Sequence, residues 1–122
     1  MDYKSKHIAV VGVSADPQKY GHKVFRDLLA VGYRVVAVNP KGGTILNQPV
    51  YASLKDIPVV PDLVITVVPP AITESVVEEC HALGIPHIWM QPGSESAVAV
   101  KKAQAYGIES TEVCFMTVNG IW

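Results

Sequence analysis

The 122 residues carry ten basic and eleven acidic side chains, for a net charge of −1. That balance excludes a general affinity for nucleic acid or anionic membrane, and no apolar run approaches the roughly 20 residues of a membrane-spanning helix. The length suits one domain over 1–122, large enough to bury a sheet core without metal or disulfide support.

In chain order, Met1–His7 runs directly into a strand with no secretory-type apolar stretch, so a cytoplasmic location is expected. Ile8–Val13 is an apolar run of strand length. Gly21–Val31 follows as a helix, with Val24, Phe25, Leu28 and Leu29 on one face and Gly32 as its stop. Arg34–Val38 reads as the second strand. Pro40–Pro49 is rich in turn residues, with Thr44–Leu46 as a short strand or bulge, and Ser53–Ile57 suits one helical turn capped by Ser53. Leu63–Val68 is almost uniformly apolar, as expected of a parallel strand covered on both faces. Pro69 and Pro70 open a helix over Ala71–Leu83 that turns Ile72, Val76, Val77, Cys80 and Leu83 inward. It leaves Glu74, Glu78 and Glu79 on a solvated face and ends at Gly84. His87–Met90 is a further strand. Ser94 is expected to cap a helix over Glu95–Tyr106, closed by Gly107, and Ile108–Glu112 is read as an edge strand. Repeated βα units predict an α/β fold with right-handed crossovers: a three-layer, doubly wound parallel sheet of about five strands plus that edge strand.

The loop between the first strand and first helix points to a ligand. A strand feeding a helix through a glycine-containing loop brings free N–H groups and the positive helix end together, which favours phosphate. Aligned on Gly12, the dinucleotide fingerprint G-x-G-x-x-G would need glycine at 14 and 17, where the chain has Ser14 and Pro17. The second strand ends in Asn39, Pro40 and Lys41, without the carboxylate that holds ribose hydroxyls in NAD sites. A lysine there suits an extra phosphate, so a phosphorylated ribose is favoured, while an ordinary βα turn remains the plain alternative. Ligands of such sheets lie at the carboxyl ends of the strands, which here read Gly12–Ser14, Asn39–Lys41, Val68–Pro70 and Gln91–Gly93. The polar loop Ser14–Tyr20 has little apolar surface to anchor it, so ligand rather than fold is expected to order it.

The combination Gly12-Val-Ser-Ala-Asp-Pro-Gln-Lys-Tyr-Gly21, Val38-Asn-Pro40, Val67-Val-Pro-Pro70 and Trp89-Met-Gln-Pro-Gly93 resembles the small stand-alone coenzyme A-binding proteins. These are relatives of the N-terminal domain of the succinyl-CoA synthetase α subunit, and the similarity runs from Lys6 to about Val118. It implies a Rossmann-like domain with CoA as the cofactor. The loop residues Gly12, Val13, Ser14, Ala15, Lys19, Tyr20 and Gly21 would face its phosphates. Asn39, Pro40 and Lys41 would lie by the adenosine portion, and Val68, Pro69 and Pro70 by the adenine or pantetheine path. Gln91 and Gly93 would sit farther along.

The synthetases pass phosphate through a histidine in a later domain, and this chain is expected not to perform that reaction alone. No catalytic residue and no metal ligand set is expected. His7, His22, His81 and His87 have no Ser, Cys or paired carboxylate at triad-like spacing. Cys80 and Cys114 lack metal-ligand spacing and are expected to stay reduced; Cys114 reads either as a small buried hydrophobe or as a thiol near the ligand's own. Tyr20 and Trp89 are candidates to stack on adenine, Trp89 being better placed for packing. The apolar tip Thr117–Trp122 is expected to dock on the domain or on a second subunit. The resulting expectation is non-catalytic binding of CoA or acyl-CoA, as carrier, sensor or regulatory module. Two alternatives stay open: an NAD(P)-binding oxidoreductase or redox sensor, and a CoA-binding subunit completing an acyl-CoA synthetase with a separate ligase chain.

Overall fold

The structure, a computed structural model, describes residues 2–122, so Met1 of the expected domain lies outside it. Seven strands form one sheet: β1 (His7–Val11), β2 (Arg34–Val38), β3 (Thr44–Ile45), β4 (Gln48–Tyr51), β5 (Leu63–Thr66), β6 (His87–Met90) and β7 (Glu109–Thr111), in the spatial order β3-β4-β2-β1-β5-β6-β7. All neighbouring pairs are parallel except β3 with β4. The helices are α1 (Tyr20–Ala30), α2 (Pro70–Leu83), α3 (Ala97–Ala105) and α4 (Phe115–Val118).

Alternation along the strands builds the three layers. Ile8 and Val10 of β1 and Leu63 and Ile65 of β5 join Val24, Phe25 and Leu28 of α1 in one core, together with Phe115 and Met116 of α4. Ala9, Val11 and Val64 face the other way, against Val76, Val77 and Cys80 of α2 and Ala99 and Ala103 of α3. Connections from β1 run outward through α1 to β2, whereas those from β5 run the opposite way through α2 and α3. The winding therefore reverses between β1 and β5, and at such a reversal the loops splay apart into a crevice.

The expected doubly wound, Rossmann-like sheet is present, with corrections in detail. The sheet has one more strand than the count of five plus an edge, because β4 extends it beyond β2, with the short strand β3 folding back on β4. The β3–β4 turn is Leu46 and Asn47, at φ 53° and 62°, the left-handed pair that a two-residue hairpin demands. β1 ends at Val11 rather than Val13, since Gly12 turns the chain out at φ 103°. Ser53 stands at the start of its helical turn without capping it, its hydroxyl donating instead to Asp56 Oδ2 at 2.9 Å. Ser94 does not cap α3 either; Ser96 does, accepting from the N–H of Ala99 at 3.2 Å. Beyond the edge strand, Phe115–Val118 form the short helix α4. No helix among the described residues is long and apolar enough to cross a membrane.

Candidate functional site

Gly12 and Gly21 set the geometry where β1 passes into α1. A Cβ on Gly12 would lie 2.2 Å from the carbonyl oxygen of Val67, and one on Gly21 would lie 2.0 Å from the carbonyl oxygen of Gly12. Helix and strand thus meet backbone to backbone, a contact open only to residues lacking a side chain. The chain reaches the close packing of the dinucleotide fingerprint with glycines spaced nine apart. Lys19 occupies the N-cap of α1 and makes no side-chain cap bond, so the first-turn N–H groups have no side-chain acceptor there.

Within the loop, short turns pair some of its own polar groups. Ser14 Oγ accepts from the N–H of Asp16 at 3.0 Å, and Asp16 Oδ1 from that of Gln18 at 2.9 Å. The His22 ring, buried, donates from Nδ1 to the Ser14 carbonyl at 2.8 Å, which gives this histidine a structural task. Asn39 Nδ2 donates to the Val13 carbonyl at 2.7 Å while its Oδ1 accepts from the Lys41 N–H at 2.9 Å. One side chain thereby ties the end of β2 to the loop after β1.

Three adjoining crevices follow the carboxyl ends of the strands. Ser14, Ala15, Asn39 and Lys41 line the first together with Asp16 and Gly42–Ile45. Gly12, Pro40 and Val68 line the second, between β2, β5 and the first turns of α2. Tyr20, Val68, Pro69 and Gly93 line the third, with Val67, Pro92 and Ser94. The buried Ser94 hydroxyl accepts from the Val68 N–H at 2.9 Å, fastening the β5 and β6 loops together. Two further hollows lie at the opposite, amino ends of the strands, around Arg34 and around His87.

Beyond the third crevice lies a polar knot. Gln91 is fully buried; its Oε1 accepts from the Phe115 N–H at 2.6 Å, and its Nε2 donates to the Tyr20 hydroxyl at 2.8 Å. With that oxygen occupied as acceptor, the Tyr20 O–H is free to point at Cys114 Sγ, 3.8 Å away. Burial, and next the thiol beside it, push the Tyr20 phenol up to about 12, so it stays a donor at physiological pH. Burial alone would raise the Cys114 thiol. Donors from the Thr117 hydroxyl and N–H, from Tyr20 and from Gln91 outweigh it and bring the thiol down to about 7.

Ten of the fifteen candidate residues therefore line the three crevices. Of the others, Val13 and Gly21 are buried, Gln91 holds the polar knot, and Lys19 and Pro70 sit exposed at the starts of α1 and α2. Trp89 packs in the core, 4.9 Å from the Phe115 ring, and donates from Nε1 to the Val113 carbonyl. Trp122 docks on the domain, donating to Asp27 Oδ2 at 2.7 Å with its ring 5.7 Å from that of Tyr20. Sequence reasoning missed Ile72 and Glu79. Ile72, expected to face inward, is 48% exposed at a crevice wall. The spacing of Ile72, Ser75, Val76 and Glu79 at i, i+3, i+4 and i+7 marks them as one helical face and was the available signal.

A family model described as "CoA binding domain" matches residues 6–120. The chain is 37% identical over 89 residues to the α subunit of ADP-forming acetate–CoA ligase I from Pyrococcus furiosus, a match spanning 68% of this chain and 19% of that relative. It thus spans about a fifth of the relative's length. Among solved structures, it is similar to a conserved hypothetical protein from Pyrococcus furiosus, with TM-score 0.88 and 33% identity over 93% of this chain and 98% of that one. The apo form of the dinucleotide-forming acetyl-coenzyme A synthetase 1 of Ca. Korarchaeum cryptofilum gives TM-score 0.78 and 26% identity, over 88% of this chain and 26% of that one.

Proposed function

The chain belongs to the CoA-binding domain family, and from that premise we propose that it binds coenzyme A or an acyl-CoA as a single domain without catalytic groups of its own, as a carrier, sensor or regulatory module. The observation that carries this reading is the set of three crevices at the strand ends, one beside Lys41, one beside Gly12 and one beside Tyr20 and Gly93. Such a set suits an extended molecule with phosphates at one end and a narrow arm at the other. The close Gly12–Gly21 contact supports a diphosphate at the bend, where backbone N–H groups and the start of α1 converge. Asn39 supports CoA over NAD, since its amide is engaged with Val13 and Lys41 and no carboxylate stands in its place to hold ribose hydroxyls.

Calorimetric titration with CoA, NAD, NADP and ATP tests this. CoA is expected to bind most tightly, and NAD or NADP binding at least tenfold tighter, a difference of about 1.4 kcal/mol, would overturn the reading.

Lys41 is exposed at the rim, where a charge contact is weakened by solvent. Lys41→Ala should weaken CoA by on the order of 1 kcal/mol, less at high salt, and leave dephospho-CoA unaffected. Equal losses for both ligands would show that the lysine acts away from the ribose phosphate.

A second reading, a CoA-binding subunit that works with a separate ligase chain, is favoured by one finding: the acetate–CoA ligase relative is itself an α subunit. A stable stoichiometric complex with a ligase β-type chain would support it.

A further inference from the structure

We propose that Glu79 reads the base of the bound nucleotide, accepting a hydrogen bond from the exocyclic amine of adenine in the crevice between β2, β5 and α2. The proposal rests on the CoA reading and goes beyond it to the group that selects the base.

The three carboxylates of α2 have different surroundings. Glu74 accepts from the Ser96 hydroxyl at 2.7 Å. Glu78 accepts from the Tyr106 hydroxyl at 2.8 and 2.9 Å and lies 3.4 Å from Lys102 Nζ. These two tie α2 to α3. Glu79 is partly buried, lines the crevice, and has no hydrogen-bond or ion-pair partner among the described residues. It belongs to the face Ile72, Ser75, Val76 and Glu79, each of which lines the same crevice.

The crevice has the size and chemistry for a single heterocycle. Its volume, about 250 Å³, is below the roughly 300–1,000 Å³ of pockets that hold a whole ligand, so it suits one moiety of a larger molecule. Val38, Pro40, Leu54, Val68 and Ile72 supply apolar walls, and Gly12 places its mouth beside the loop proposed for the diphosphate.

The side-chain polar groups around it are all acceptors toward a ligand. The Ser53 hydroxyl proton is taken by Asp56 and the Ser75 hydroxyl proton by the Ile72 carbonyl, and a carboxylate has no proton to give. An acceptor aligned with the 6-substituent favours the 6-amino group of adenine over hypoxanthine, whose edge N–H lies one position away at N1. It disfavours the 6-carbonyl of hypoxanthine, because two facing acceptors leave each other unpaired.

The test compares CoA with its inosine counterpart, in which hypoxanthine replaces adenine. The wild-type chain should bind CoA about tenfold tighter, the scale of a single hydrogen bond to a charged group. Glu79→Gln, whose amide can turn its N–H₂ toward a 6-carbonyl, should bring the two affinities close to equal, and Glu79→Ala should weaken CoA alone. Unchanged denaturation midpoints would show both variants folded. Equal affinity of the wild type for the two ligands, or a tenfold preference that survives in Glu79→Gln, would overturn the assignment. Failure of the wild type to bind CoA at all would overturn the CoA reading itself.

Discussion

Gly12→Ala is expected to destabilise the fold by about 3 kcal/mol or more. Two effects act together. The residue sits at φ 103°, where a side chain is strained by roughly 1–3 kcal/mol. Its Cβ would also fall 2.2 Å from the Val67 carbonyl oxygen and 2.7 Å from Val68 Cγ1. The nearest atom is backbone of the loop leaving β5, so it cannot swing aside as a flexible side chain would. Relief requires β1 and β5 to separate at the point where the sheet winding reverses. Gly32→Ala is the control, since that glycine is also at positive φ, 88°, but a Cβ there meets nothing within 4 Å. It should lose about 1 kcal/mol, the strain alone. Urea unfolding of both variants measures the difference. Equal losses would mean that the close approach of the two loops carries no energetic weight. Because small domains are stable by only about 5–15 kcal/mol, Gly12→Ala should also abolish ligand binding near its midpoint.

Gln91→Leu is expected to destabilise by about 2–4 kcal/mol although it keeps the volume of the buried side chain. The leucine would leave the Phe115 N–H without its acceptor in a buried position, and an orphaned buried donor costs about 1–3 kcal/mol. The Tyr20 hydroxyl would lose its donor as well. Both effects loosen the start of α4, so its amides should exchange faster. The same variant has a second, pH-dependent signature at Cys114. With Gln91 gone, and Tyr20 no longer oriented, two of the groups that hold the thiol at about 7 disappear while burial still opposes the thiolate. The thiol must then rise. Alkylation by iodoacetamide, followed against pH, should show a midpoint near 7 in the wild type and a clearly higher one in the variant. A midpoint unmoved by Gln91→Leu would assign the lowering to Thr117 alone.

How far the chain's own pattern reached can be seen by comparing β5 with β4. Leu63, Val64 and Ile65 are apolar at consecutive positions, as only a strand covered on both faces requires, and β5 appears within the range read from them. Gln48, Pro49, Val50 and Tyr51 have no such run, and Pro49 lacks the N–H that a ladder uses. They become β4 because Val50 and Tyr51 fall beside Ala37 and Val38 of β2. The turn that delivers them, Leu46 and Asn47, uses a leucine at positive φ, contrary to the local chemistry by which such turns are recognised. Pairing with a strand distant in sequence outweighed propensity.

The site divides along the same line. Gly12, the Ser14–Gly21 loop, Asn39–Lys41, Val68–Pro70 and Gly93 were legible because a parallel sheet sends every strand's carboxyl end to one rim, so a linear reading of the strands already assembles them. What each side chain does there depends on partners that no local pattern names. Gln91 faces inward because Tyr20, Cys114 and Phe115 converge on it from α1 and α4. Glu79 faces a crevice while Glu78, one residue earlier, faces α3, because a helix turns about 100° per residue and only the packed neighbours decide which direction is solvent. Apart from β4 and α4, sequence by itself determined the order of strands and helices along the chain and the rim they create, through burial patterns that are local. The tertiary structure alone decided which polar groups on that rim are engaged and which are free, because hydrogen-bond partners are set by proximity in space.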